Sequence, residues 1–381
     1  MPFLKQRAPA MRRLLKRFVC CESPSDSKAA VDRLGKIVAT EWANRGARVE
    51  FLQNRAAGDH LRVTWPDRSG RSRSSAPDQK QVLVLGHLDT VYELGTIKTM
   101  PFRESDGKAF GPGIFDMKGG LVIALFAADA LAHAGCLPAR QIVFLWTSDE
   151  ETGSETSRKL IENEARKSAA VLVLEPASGP DGKLKTRRKA VGTAELSIKG
   201  RSAHAGLEPE RGVNAVHELA LQTERLIVLN NPRRGISVNP TIAQGGKRSN
   251  VIPDEAHLTL DLRAERMADV KYIEKKLRTL RGILPGAKVK VDGGFSRPPL
   301  EWRASAQLFA VAKALGQELG ITLGECLAGG GSDGNFTAGI GIPTLDGLGA
   351  VGAGAHSAGE YIMLSSLPER AALLANLLAT L

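Results

Sequence analysis

Val82-Leu83-Val84-Leu85-Gly86-His87-Leu88-Asp89-Thr90 sets a short, branched apolar run directly before a histidine and an aspartate. A run that is apolar at every position, rather than at alternate ones, reads as a strand covered on both faces, the habit of a parallel sheet. Ile142-Val143-Phe144-Leu145-Trp146 repeats the pattern and leads into Ser148-Asp149-Glu150-Glu151-Thr152-Gly153. A third run, Ala170-Val171-Leu172-Val173-Leu174, ends on Glu175 and Pro176. In open α/β sheets, ligands gather beyond the carboxyl ends of such strands. His87, Glu150 with Glu151, and Glu175 are therefore expected to project from one rim.

A fourth segment, Phe115-Asp116-Met117-Lys118-Gly119-Gly120, opens an amphipathic helix expected over 117–133. Taken singly, these residues have plainer readings. Asp116 could cap its helix, Glu150 and Glu151 could be solvated loop acids, and His87 could be a hydrogen-bonded structural imidazole. Together, imidazole nitrogen and carboxylate oxygen suit a borderline divalent ion such as zinc, and Asp116 could bridge two such ions. Thiolates are not needed. A distal ligand has to come from elsewhere, and His356, in Ala353-Gly354-Ala355-His356-Ser357-Ala358-Gly359-Glu360, is the best candidate among seven histidines.

Composition agrees with an enzyme of this kind. With 381 residues, 43% of them apolar, the chain can build two domains. No segment approaches the roughly 20 apolar residues of a membrane helix. The basic N-terminus is followed only by Phe18-Val19-Cys20-Cys21, too short for the apolar part of a signal peptide, so a cytoplasmic location is expected. Of the four cysteines, Cys20 and Cys21 are adjacent and Cys136 and Cys326 far apart, so thiols rather than a disulfide framework are expected. The net charge of +11 raises the question of nucleic acid. Its densest run, Lys183-Leu184-Lys185-Thr186-Arg187-Arg188-Lys189, lacks the interleaved aromatics of a stacking platform, and a solvated basic surface that attracts anionic substrates is the better reading. No nucleic-acid or membrane partner is expected.

Along the chain, 29–44 reads as a helix, 49–53 and 61–65 as strands, and 66–80 as a polar loop. After Glu175 the pattern changes. Residues 192–200 alternate like a strand with one exposed face, 213–229 carry helical spacing, and 236–243 and 256–263 read as strands. A helix over 269–282 and a strand over 287–291 complete an antiparallel sheet with two helices. The expectation is an α/β domain, 1–190 with 297–381, interrupted by an α+β insertion over 191–296.

These motifs, with Gly111 to Gly120, Ser202-Ala203-His204-Ala205-Gly206 and Gly329-Gly330-Gly331-Ser332-Asp333-Gly334, resemble the successive signatures of the M20 family of dizinc aminoacylases and carboxypeptidases, and within it the glutamate carboxypeptidase group. The resemblance runs from about residue 15 to the C-terminus. It implies a zinc-peptidase-like mixed sheet flanked by helices, with the insertion serving as lid and dimerisation domain. It also implies two Zn²⁺ ions, replaceable by Co²⁺ or Mn²⁺. Asp116 would bridge them, His87 and Glu175 would complete one, and Glu151 and His356 the other. Glu150 would be the general base, Asp89 would orient the His87 imidazole, and a cis peptide would follow Asp116. The implied reaction is amide hydrolysis by activated water, releasing a C-terminal amino acid.

The resemblance further implies that His204 stabilises the oxyanion, often from the partner subunit of a homodimer. Arg263 and Asn250 match positions that bind the substrate's α-carboxylate, arginine being suited by its planar fork. Lys183 and Arg297 match positions that neutralise a glutamate side chain, and the backbone at Gly330 is expected to approach the substrate carboxylate. Each has an ordinary alternative as a surface residue or surface ion pair. The family usually has threonine at Ser332, and Asn335-Phe336 also departs from common relatives, which bears on the acyl side of specificity. The expected partner is a small molecule or short peptide with a free carboxylate. A deacylase of acetyl or succinyl amino acids is the nearest alternative, and a non-catalytic metal-binding scaffold is the contrasting one, against which the presence of Glu150 argues.

Overall fold

Six strands form the central sheet, in the order Arg48–Leu52, His60–Trp65, Ile142–Thr147, Gln81–His87, Ser168–Val173 and Thr344–Leu345. They belong to a computed structural model that describes residues 1–67 and 80–381; most of the loop expected over 66–80 lies outside the described residues. The four strands from Ile142–Thr147 onward run parallel, and the first two are antiparallel, so the sheet is mixed. Val82 to Leu85 and Ile142 to Trp146 are buried at every position, which is why their sequences do not alternate. Pairing of His87 with Thr147 brings the two strands to the same rim.

The chain divides into two compact units, Met1–Arg187 with Trp302–Ala328 and Ser332–Leu381, and Arg188–Glu301 with Gly329–Gly331. In the first, helices Pro2–Cys20, Gly119–His133 and Ser366–Thr380 pack on one another around a large apolar core. The basic N-terminus is thus the outer face of a helix. Leu4, Met11, Leu14, Leu15, Phe18 and Val19 form its buried stripe, at the three- and four-residue spacing of one helical face. The helix expected to start at Met117 starts at Gly119, and it is covered on nearly all sides rather than amphipathic, with Gly119 to Ala128 continuously buried. Before it, Ile114–Lys118 forms a wide turn in which Asp116 and Met117 are non-helical and the Asp116–Met117 peptide is cis. Two glycines let this turn sit close to the strand ends: a Cβ at Gly86 would meet Met117 Sδ at 2.7 Å, and one at Gly120 would meet the Leu174 carbonyl at 2.6 Å.

A small antiparallel sheet, ordered Gly352–Ala353, Tyr361–Met363, Lys108–Phe110 and Arg103–Ser105, joins distant parts of the same unit. Its pairing of Phe110 with Tyr361 brings the segment around residue 356 beside the Asp116 turn.

The second unit has a four-stranded antiparallel sheet in the order Ser237–Gly245, Glu255–Ala264, Ala190–Lys199, Lys288–Arg297. Helices Ala215–Ile227 and Met267–Arg278 contribute Leu219, Leu226, Ile273 and Leu277 to its core, against alternate residues such as Leu196, Ile198, Leu258 and Leu260. The second helix ends four residues short of its expected limit, and the last strand runs six residues beyond its own. Three of the seven residues of the basic run, Leu184, Thr186 and Arg188, are buried, and Arg188, its one buried cation, donates from Nη1 to the carbonyls of Gly330 and Gly331. All four cysteines are thiols. Among the described residues, no helix is long and apolar enough to cross a membrane.

Candidate metal centre

Asp116 presents its two oxygens to two different imidazoles. Oδ1 lies 3.2 Å from His87 Nε2, and Oδ2 lies 3.4 Å from His356 Nε2. Glu175 Oε1 stands 3.4 Å from the same His87 nitrogen, and Glu151 Oε2 stands 3.2 Å from that of His356. The five residues assigned as ligands are thus brought together in the first unit, one subset on each oxygen of Asp116.

Tautomers sharpen this geometry. His87 Nδ1 is 2.9 Å from the main-chain carbonyl of Asp89, which can only accept, so in the neutral ring Nδ1 carries the proton and Nε2 turns a lone pair toward Asp116 and Glu175. Lone pairs facing lone pairs call for a positive charge between them, a proton on Nε2 or a metal cation. The pKa directions express the same demand. Burial opposes charge on His87, yet hydrogen bonds to Asp116, Asp89 and Glu175 outweigh it and carry its pKa well above the ordinary imidazole value. Half-exposed His356 is pushed up to about 10 by its bonds to Asp116 and Glu151. Burial would raise Asp116, but His356 and His87 hold it below the usual carboxylate range, while burial lifts Glu151 despite His356.

The residues fit divalent cations on these grounds. Donor atoms of His87, Asp116 and Glu151 lie within 4.8 Å of one another, and Oε1 of Glu151 is buried with no hydrogen-bond partner among the described residues. Imidazole nitrogen with carboxylate oxygen is the set expected for zinc or a similar ion.

Around this core, Asp89 ties down the loop of Glu150 and Glu151. Its buried carboxylate accepts the Ser25 hydroxyl at 2.7 Å and the backbone N–H groups of Glu150 and Glu151 at 3.3 and 3.2 Å. Its carboxylate stands 3.4 Å from His87 Nδ1, farther than its own carbonyl. The loop bearing Glu150 has further anchors that sequence reading passed over. Asp149 accepts from Thr156 N–H and Oγ1 at 2.7 and 2.6 Å, and buried Asp333 accepts the hydroxyls of Thr147 and Ser154 at 3.0 and 2.5 Å. Asp333 lies in the glycine-rich motif, and its place between two loop ends 186 and 179 residues upstream leaves no local signal.

Lys183 is exposed at the end of a hairpin closed by Ser178, in the first unit. His204, Asn250, Arg263, Arg297 and Gly330 belong to the second. His204 pairs with Val251, next to Asn250, and its Nδ1 accepts the N–H groups of Gly206 and Leu207, each at 3.1 Å, so that in the neutral ring Nε2 bears the proton. Arg263 holds Asp261 bidentately, at 3.0 and 2.8 Å. Arg297 is buried beside Gly331, whose neighbour Gly330 is exposed.

Residues 83–380 match the profile described as Peptidase family M20/M25/M40. The chain is 34% identical over 380 residues to carboxypeptidase G2 of Pseudomonas sp., covering 98% of this chain and 89% of that one. The chain belongs to the M20 family. Membership makes it a hydrolase of the metallopeptidase class. It is also 26% identical to a succinyl-diaminopimelate desuccinylase of Albidiferax ferrireducens, over 87% of this chain and 88% of the relative. The M20 architecture is shared with the Bacillus subtilis YXEP protein, a dinuclear metal-binding peptidase, at a TM-score of 0.71 and 14% identity, with 99% and 98% of the two chains covered.

Proposed function

We propose that this M20 protein is a metal-dependent carboxypeptidase that releases a C-terminal amino acid, glutamate in preference, from peptide, folate-like or N-acyl substrates. The observation that carries the reading is the carboxylate of Asp116 shared between His87 and His356, in a chain 34% identical to carboxypeptidase G2 over nearly its whole length. His87 with Glu175, and Glu151 with His356, would each hold one divalent cation, zinc by preference, with Asp116 common to both. When bound, such cations lower the pKa of water toward neutrality and polarise a carbonyl.

Glu150 takes the proton of the attacking water and returns it to the leaving nitrogen, with Asp89 fixing its main chain. The Nε2–H of His204 donates to the oxyanion; the acceptor role of its Nδ1 supports that assignment. Arg263, Asn250 and the backbone at Gly330 bind the α-carboxylate, which must share or displace the hold of Arg263 on Asp261. Lys183 and Arg297 neutralise the glutamate side chain. The second unit serves as lid and dimerisation domain, a reading supported by its exposed apolar edge at Val228 and Ile242.

A release assay across N-acyl glutamates, aspartates and neutral amino acids tests this, with and without chelator. Release that survives chelation removes the metal from the reading. Similarity to the desuccinylase supports a second reading, deacylation of other N-acyl amino acids. Substituting Lys183 and Arg297 separates the two, because unchanged relative rates would end the case for glutamate.

A further inference from the structure

Glu360 is fully buried, and none of the roles above uses it. Its Oε1 accepts the backbone N–H of Phe115 at 2.7 Å and of Asp116 at 2.9 Å. Its Oε2 accepts the N–H of Gly113 at 3.0 Å and the hydroxyl of Tyr92 at 2.6 Å. Converging N–H groups of one turn form a concavity that ordinarily takes an anion from outside. Here the protein fills it with its own carboxylate. A buried charge is tolerated only when hydrogen-bonded, and four donors meet that need.

The same residue is tied to the loop of His356. The Glu360 N–H donates to the Ser357 carbonyl at 3.2 Å, and the Tyr92 hydroxyl lies 2.9 Å from that carbonyl. Within the loop, Ser357 donates N–H and Oγ–H to the Gly354 carbonyl, and His356 takes a φ of +61°, uncommon for a residue with a side chain. One carboxylate therefore holds the turn that aims Asp116 and the base of the loop that aims His356. His87 is held differently, by strand pairing and by the Asp89 carbonyl. A neutral acceptor could not serve as well. An amide at this position would present an NH₂ to at least one N–H of the turn, and it would remove a negative charge from behind Asp116.

We propose that Glu360, together with Tyr92, is a positioning residue that sets the separation of Asp116 and His356, and through it the affinity of the cation those two share with Glu151. The proposal rests on the two-cation reading given above. Because Asp116 is common to both cations, Glu360 bears on both, but more strongly on the one that also takes His356.

The test is titration of metal-free protein with Zn²⁺ against a competing chelator dye, with Co²⁺ absorption as a second probe of the ligand field. Wild-type protein takes up two equivalents. In Glu360→Gln the second equivalent weakens by roughly tenfold or more, the scale seen when the outer partners of metal ligands are lost, and the first, which shares Asp116 but not His356, weakens by distinctly less. Tyr92→Phe, which removes only a hydroxyl, weakens the second equivalent in the same direction by less. Two equivalents at wild-type affinity in folded Glu360→Gln overturn the clamp, and so does an equal loss of both. If Glu360→Gln does not fold, an unweakened second equivalent in Tyr92→Phe overturns it instead. A wild-type protein that takes up fewer than two equivalents overturns the two-cation reading itself, and the clamp with it.

Discussion

Oδ1 of Asp89 receives the backbone N–H of Glu150 at 3.3 Å. The residue two positions after a proposed ligand therefore also fixes the main chain of the proposed base, and its other oxygen does the same for Glu151 at 3.2 Å. Asp89→Asn keeps the shape but turns an NH₂ toward one of these N–H groups. We expect kcat to fall by about 10- to 100-fold, the usual cost of losing such an outer partner, with the protein still folded. Steady-state kinetics beside metal analysis checks this; wild-type kcat would show that the carboxylate is dispensable.

Glu150→Ala should retain bound metal and lose turnover by roughly 10²- to 10⁴-fold, the range typical of a missing general acid–base group. Metal content measured on the same sample as kcat separates loss of the base from loss of the site. Near-normal activity in the metal-loaded variant would refute the assignment.

Asp333 bridges Thr147 and Ser154, the two ends of the loop that carries Glu150 and Glu151. Truncation to alanine removes the carboxylate that both hydroxyls bond, leaving Thr147 its longer contact, 3.4 Å, to the Gly86 carbonyl, and a weakened buried donor costs up to about 1–3 kcal/mol. We expect Asp333→Ala to lower the denaturation midpoint and reduce kcat together. The double variant Thr147→Val, Ser154→Ala should restore part of the stability by removing the orphaned donors, and a thermal melt of the triple variant no better than that of Asp333→Ala would contradict the clamp.

Glu218 supplies a pH dependence in the second unit. Burial would raise its pKa, but the N–H of Leu284, the Gln222 amide and the N–H of Ile283 hold it below the ordinary value of 4.5. A lowered folded pKa means that the unfolded chain binds the proton more readily. The stability from this group is therefore complete above about pH 4.5 and is lost as pH falls through the lowered value. Glu218→Gln should cost about 1.5–3 kcal/mol at pH 7, as expected for hydrogen bonds to a charged group, and progressively less below pH 4. Denaturant midpoints at the two pH values measure the difference, and a gap that widens in acid would reverse the sign of the argument.

The edge strand Ser237–Gly245 and the end of helix Ala215–Ile227 leave apolar side chains uncovered: Val228 is 76% exposed, Ile242 54% and Ile227 43%. An unpaired edge with such residues is a template for a second copy of the chain. Analytical ultracentrifugation should give the mass of a dimer for the wild type and of a monomer for Val228→Lys with Ile242→Lys. A monomeric wild type would count against the dimer and against His204 acting across it.

Residue by residue, legibility followed locality. Val82 to Leu85 and Ile142 to Trp146 read as doubly covered strands because burial on both faces leaves no polar position, and they are buried throughout. The alternation from Gly192 to Gly200 likewise appears as a strand with one covered face. The N-terminal helix carries its period at Leu4, Met11, Leu14, Leu15 and Phe18, but the cations interleaved among them mask the apolar face in the sequence. The helix after Asp116 looked amphipathic from its own residues, yet helices Pro2–Cys20 and Ser366–Thr380 cover the side that would otherwise face water.

The chain's own order of residues determined which side chains could carry chemistry and which runs would be strands, since both depend on residue type within a window of about ten positions. Only the tertiary structure decided that Asp116 stands between His87 and His356, that Arg263 grips Asp261, and that Asp333 and Glu360 brace the segments around the site. Those relationships join residues more than 240 positions apart. They arise from strand pairing and buried hydrogen bonds, which leave no period in the sequence to read.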